Sequence, residues 1–109
     1  MKHNSIVVAL IYSGRPDPRW ELTEEQAEHF ISLWNEAPYS EVKISIPAVS
    51  GYKGLRLLLD EKQFFIYNGL ITQIENKTSK NDQQRRIEKF LLATAPEQMM
   101  ELLKNLNIL

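Results

Sequence analysis

The sequence predicts an α+β fold: a mostly antiparallel sheet of four to five strands with helices packed on one face. Three observations carry this. A β-branched apolar run opens the chain at Ile6, an Asn68-Gly69 pair sits between two alternating segments, and helical periodicity is confined to residues 23–37 and to the chain beyond residue 82. The resulting order, β-α-β-β-β-β-α-α, offers a single β-to-α crossover, which favours antiparallel pairing with segregated helices.

Each element has a local cause. Ile6 to Tyr12 is continuously apolar, as expected of a strand covered on both faces. Ser13-Gly14-Arg15-Pro16-Asp17-Pro18-Arg19-Trp20 then breaks regular structure, because two prolines fix φ and restrict the residues before them. Thr23 with Gln26 has the spacing of a capping box, and Glu24, Glu25 and Glu28 place negative charge at the helix N-terminus. Ala27, Phe30, Ile31 and Trp34 recur at helical spacing, and Pro38 marks the helix end.

Val42, Ile44 and Ile46 alternate with polar residues and predict a strand stopped at Pro47. Gly51 and Gly54 predict a loop or bulge, and Leu55 to Leu59 a further strand. Asn68-Gly69 predicts a type I′ turn, since both central residues need positive φ. That turn pairs Tyr67 with Leu70 and Phe65 with Thr72, setting Phe65, Tyr67, Leu70, Thr72 and Ile74 on one face. Residues 53–75 thus form a three-stranded meander, followed by a polar linker over 76–81. A helix over 82–94 carries Ile87, Phe90 and Leu91 inward. Thr94 and Glu97 repeat the capping-box spacing before a last helix with Met99, Met100, Leu102, Leu103 and Leu106.

Composition narrows the function. With 109 residues the chain is expected to be a single domain, 1–109. The formal net charge of -1 argues against a nucleic-acid-coating protein. Without cysteine there is no thiol nucleophile, disulfide or Fe–S cluster. No segment reaches the ~18 apolar residues of a membrane span, and no cleavage region follows the first apolar run. The expectation is a cytoplasmic protein without membrane contact.

Two loops stand out as a ligand-binding site. Arg15, Asp17, Arg19 and Trp20 lie between a buried strand and a capped helix, and Tyr52 and Lys53 lie between two glycines, with Arg56 just beyond. Guanidiniums grip carboxylate or phosphate bidentately, and an aromatic supplies a flat wall. If both loops lie at one sheet end, they form a cationic, aromatic-lined anion pocket. In the plainer alternative, the loop folds back, with Trp20 covering the core and Arg15 bonding loop carbonyls or Asp17.

Sharper motifs are absent. There is no Gly-rich phosphate loop, and Gly51-Tyr52-Lys53-Gly54 precedes a strand, unlike the GXXG of KH domains, which sits between helices. His3 and His29 are the only histidines and lack a third ligand at useful spacing, so neither metal nor cofactor is expected. Lys77, Lys80, Arg85, Arg86 and Lys89 make a basic stripe whose plain reading is a solvated face, with Asp82 and Arg86 as an i,i+4 pair.

Residues 13–20 and 51–54 together resemble a small uncharacterised family whose pattern reads SGRPNPxW and then GYRG. The two motifs cover about a tenth of the chain, and Asp17 and Lys53 replace the family's Asn and Arg. The resemblance implies no activity or cofactor; it points to the same two loops.

The sequence therefore predicts a non-catalytic binding or interaction module for an anionic small molecule or an acidic protein segment. Its rivals are a small enzyme with Asp17 as acid/base in an Arg/Lys-lined pocket, and a structural subunit, homo-oligomeric through the apolar C-terminal helix. An enzyme requires a concave pocket with Asp17 pointing into it. A binding module requires exposed cations with Trp20 or Tyr52 at the surface. A structural role requires both aromatics buried and both arginines paired.

Overall fold

Side-chain alternation along paired strands decides which sheet face is buried. A computed structural model describes residues 3–12, 16–42, 51–106 and 108. Among the described residues, seven strands form one sheet: β1 (Ser5–Ala9), β2 (Arg19–Glu21), β3 (Tyr39–Ser40), β4 (Leu55–Leu59), β5 (Lys62–Tyr67), β6 (Leu70–Gln73) and β7 (Thr78–Asn81). Their order is β2-β1-β4-β5-β6-β7-β3, and every neighbouring pair is antiparallel. The described residues also form the helices α1 (Glu24–Glu36), α2 (Arg86–Ala93) and α3 (Glu97–Asn105).

The α+β class and antiparallel sheet are as expected; the sheet is wider, for identifiable reasons. Arg19–Glu21, expected as loop, is an edge strand on β1, with Trp20 opposite Val7. Thr78–Asn81, expected as linker, pairs with β6, because Thr72 and Ser79 hydroxyls bond each other at 2.8 Å inside the sheet. Polar residues that satisfy one another across strands give no apolar signal. Tyr39–Ser40 adds a two-residue strand at the far edge. The expected strand at Val42–Ile46 lies, beyond Val42, outside the described residues; Val42 itself is exposed in a bend.

The hairpin follows its turn chemistry. Asn68 and Gly69 have φ of 49° and 91°, and the register pairs Tyr67 with Leu70 and Phe65 with Thr72. That register sends Phe64, Ile66 and Ile71 to the opposite face, where they join Val7, Ala9, Leu55, Leu57 and Leu59 under the helices. From the helix side come Ala27, Phe30 and Leu33 of α1, Ile87, Leu91 and Leu92 of α2, and Leu103 of α3. Each fully buried Leu, Ile or Phe contributes roughly 1.5–3 kcal/mol relative to exposure.

Helix ends carry the clearest local logic. The Thr23 hydroxyl accepts from Gln26 N–H at 3.1 Å while the Gln26 side chain accepts from Thr23 N–H at 2.9 Å, the expected capping box. α2 departs from expectation. Its first turn is a 3₁₀ piece, Gln83–Arg85, with Gln84 and Arg85 both at φ 57°, and the Asp82 carboxylate accepts from Ile87 N–H at 2.7 Å and Glu88 N–H at 3.0 Å. Asp82 thus anchors the helix start, where the sequence suggested a pair with Arg86. Thr94 and Glu97 form no capping box: Pro96 is the N-cap of α3, and the Thr94 hydroxyl donates to Leu91 O instead. α1 has no basic residue in its last turn, and Lys80 of β7 donates to Trp34 O at 2.7 Å across the fold. Among the described residues, no helix is long and apolar enough to cross a membrane.

Candidate functional site

Among the described site residues, Asp17 and Lys53 meet at Ile11, at the end of β1, whereas Trp20 and Tyr52 are turned into the fold. Ser13, Gly14 and Arg15 lie outside the described residues. Asp17 folds back beneath the end of β1: its Oδ1 accepts from Ile11 N–H at 2.9 Å and Tyr12 N–H at 2.7 Å, replacing ladder bonds the strand lacks there. Pro18 O accepts from Ala9 N–H at 2.9 Å and continues the same seam. Trp20 is a core residue, 5% exposed, whose Nε1–H donates to the Thr94 hydroxyl at 2.9 Å. The surface wall expected of it is absent, because the β2 register points the indole under the helices.

The second loop is also tied inward. Lys53 N–H donates to Leu10 O and Leu10 N–H to Gly54 O, extending the β1–β4 ladder. Gly54 has φ of 106°, and a Cβ there would stand 2.7 Å from Ile66 O, so only glycine fits against β5. The Lys53 ammonium donates to Gly51 O at 3.2 Å.

Tyr52 leads to a network the sequence reading missed. Its hydroxyl donates to Oε2 of Glu88, a carboxylate with no exposed surface. Glu88 Oε1 also accepts from Asn68 N–H at 2.8 Å and Arg85 Nε at 3.1 Å, and Arg85 Nη2 completes the set at 3.0 Å on Oε2. Burial, then the bond to Glu88, push the Tyr52 phenol well above the ordinary tyrosine range. Burial also raises Asp82, against the two backbone N–H bonds that lower it. Every oxygen of Glu88 is satisfied, so the network ties the hairpin turn, the Gly51–Gly54 loop and α2 together. Nothing in the spacing of Tyr52 and Glu88, 36 residues apart, could reveal it.

Arg19 and Arg56 remain. Val8 pairs with Arg19 on one side and Arg56 on the other, so both cations flank Val8 in one cross-strand row. The row continues through Phe65, Thr72 and Ser79 on the face turned away from the helices. Both arginines are exposed. Arg56 donates to Gln63 Oε1 at 2.6 Å, and Arg19 has no ion-pair partner among the described residues. Beside Arg56, Leu10, Gln63, Phe65 and Ile74 line a hollow of about 260 Å³. Ile6 and Glu21 share this face one row away.

The basic stripe of residues 77–89 is not one surface. Lys80 is buried, its ammonium 4.5 Å from the Trp34 ring centroid, and burial lowers its pKa. Arg85 is engaged by Glu88. A different ionisable group gathers at the other end of the sheet. His3 Nδ1 lies 2.9 Å from Asp60 Oδ2, and His3 Nε2 lies 3.6 Å from Glu24 Oε1. The Asp60 bond, opposed by partial desolvation and aided by Glu24, raises the His3 pKa above the ordinary histidine value.

No family model, curated protein or solved structure matches the chain, so the site's reading rests on its own chemistry.

Proposed function

We propose that the protein is a non-catalytic binding module that receives an acidic segment of a protein partner on the sheet face turned away from the described helices, through the exposed Arg19 and Arg56. The observation carrying this reading is the placement of two exposed guanidiniums on either side of Val8 in a single cross-strand row. Strands lie about 4.8 Å apart, so the two arginines stand roughly 10 Å apart. That separation suits two carboxylates on one chain better than one small anion gripped by both. A peptide in the polyproline-II conformation advances about 3.1 Å per residue with three residues per turn, so acidic residues at i and i+3 share a face and match the span. The hollow beside Arg56, on its side away from Arg19 and floored by Phe65, suits an apolar side chain just beyond the second carboxylate.

Asp17 gives little support to an enzymatic reading, because its carboxylate serves two backbone N–H groups. Trp20 and Tyr52 act within the fold, so the binding reading rests on the cations alone.

Fluorescence anisotropy with a labelled peptide carrying glutamates at i and i+3 and leucine just beyond the second tests the proposal. Saturable binding is expected that weakens with salt, as exposed charges are screened over ~10 Å at 0.1 M. It should be lost in the Arg19→Glu/Arg56→Glu double variant, whose stability stays within about 0.5 kcal/mol of the wild type. Equal binding by that variant overturns the reading. Competition by free citrate at similar affinity would shift it to a small anion.

A further inference from the structure

We propose that His3, Glu24 and Glu28 form a binding site for a single divalent transition-metal cation of the zinc type, with Asp60 orienting the histidine. The three residues come from two chain segments. His3 enters β1 beside the N-terminus of α1, where Glu24 and Glu28 stand one helical turn apart. One potential ligand atom from each lies within 4.8 Å of the other two. Around a cation with bonds of ~2.0–2.2 Å, ligand atoms sit roughly 3–3.5 Å apart, so small rotamer adjustments close the set.

Two further observations point to a ligand at this spot. The first is the histidine's support. Asp60 Oδ2 lies 2.9 Å from His3 Nδ1 while its Oδ1 accepts from Asn4 N–H at 3.0 Å. This carboxylate engages Nδ1 and leaves Nε2 facing Glu24 Oε1, the arrangement that accompanies histidine ligation of metals. The second is Glu24. Its Oε2 is fastened by His3 N–H at 2.7 Å, whereas its Oε1 is buried and has no hydrogen-bond partner. At 3.6 Å from Nε2 it is beyond hydrogen-bonding range yet aimed at the same point. The Glu24 side chain is one-third exposed overall, but this oxygen has no donor, and a cation between Oε1 and Nε2 would supply its partner.

Access and selectivity follow from the surroundings. His3 and Glu28 line an open hollow of about 490 Å³ with Ile31, Ser32, Asn35 and Glu36, which lets a hydrated cation enter. Imidazole nitrogen with two carboxylates favours Zn²⁺ and Co²⁺ over Mg²⁺ and Ca²⁺, which prefer all-oxygen sets. Three protein ligands leave a fourth position for water.

The test uses the untagged full chain, stripped with EDTA and titrated calorimetrically with ZnCl₂ and CoCl₂. One site per chain is expected, and Zn²⁺ a hundredfold above Kd should raise the unfolding midpoint by roughly 10 °C. His3→Ala and Glu28→Ala should each lower affinity at least tenfold. Asp60→Asn should lower it about 10–100-fold, and His29→Ala should leave it unchanged. Circular dichroism of the metal-free variants confirms that they fold; Glu28 is exposed on α1, so its replacement by alanine leaves the core intact. Absence of saturable Zn²⁺ uptake overturns the site. So does uptake surviving in Glu28→Ala and His3→Ala, or equal affinity for Mg²⁺ or Ca²⁺.

Discussion

Glu88→Gln removes one charge and almost no volume, and the structure fixes what it should cost. The wild-type carboxylate accepts from Tyr52 OH, Asn68 N–H and two Arg85 nitrogens with no exposed surface of its own. In the variant the amide oxygen can serve Asn68 N–H and Arg85 Nε. The amide nitrogen then faces the Tyr52 hydroxyl, which can turn to accept, and Arg85 Nη2, which cannot. The loss is one charge-assisted bond of about 1.5–3 kcal/mol and a weakening of the others. Arg85 keeps 40% of its side chain exposed and can turn towards water. The total should therefore stay below the ~3–5 kcal/mol of a fully buried pair, at roughly 2–4 kcal/mol. At about 4 °C per kcal/mol for a chain of this length, the unfolding midpoint should fall by roughly 8–16 °C. Urea denaturation gives the free energy, and a double-mutant cycle with Tyr52→Phe isolates the phenol–carboxylate coupling. A cost under about 0.5 kcal/mol, or a Tyr52→Phe effect identical in both backgrounds, would refute the claim that this network holds the loop and hairpin to α2.

Four further substitutions probe the local arguments. Asp17→Ala leaves two amides at the end of β1 without an acceptor and should cost about 1–3 kcal/mol in urea unfolding, against little change if the loop were merely exposed. Gly54→Ala should cost roughly 3 kcal/mol or more, since a Cβ meets β5 at 2.7–2.8 Å at positive φ. Gly51→Ala, with nothing within 4 Å, should cost only the ~1–2 kcal/mol of a left-handed residue. Lys80→Met keeps the stem but removes the donor to Trp34 O and the cation over two rings. A loss of about 1–2 kcal/mol by thermal melting is expected, and an unchanged midpoint would mean the α1 terminus needs no partner.

The two proposed sites occupy different parts of the fold, so their tests are independent. Arg19→Glu and Arg56→Glu act on the sheet face away from the described helices, whereas His3 and Asp60 lie at the start of β1 and in the β4–β5 turn. A cation at His3 should leave peptide binding by the arginines unchanged.

By itself the sequence determined what depends on neighbours along the chain. The capping box at Thr23 and Gln26, the apolar stripe of α1, the Asn68-Gly69 turn and the register it imposes were all legible, because period and turn chemistry act over a few residues. It also singled out Arg19 and Arg56, though without the row that joins them. The tertiary structure alone decided matters of long-range pairing. Thr78–Asn81 became a strand because Ser79 could bond Thr72, and Trp20 went inward because β2 pairs with β1 in one register and not its neighbour. Asp17 turned from a candidate acid into a backbone acceptor. His3 met Glu24, 21 residues away, only because β1 begins beside the α1 N-terminus. Local conformation is set by φ, ψ and periodicity, which a sequence displays. A buried polar contact is set by which segments share an address in space, and residue spacing does not encode that.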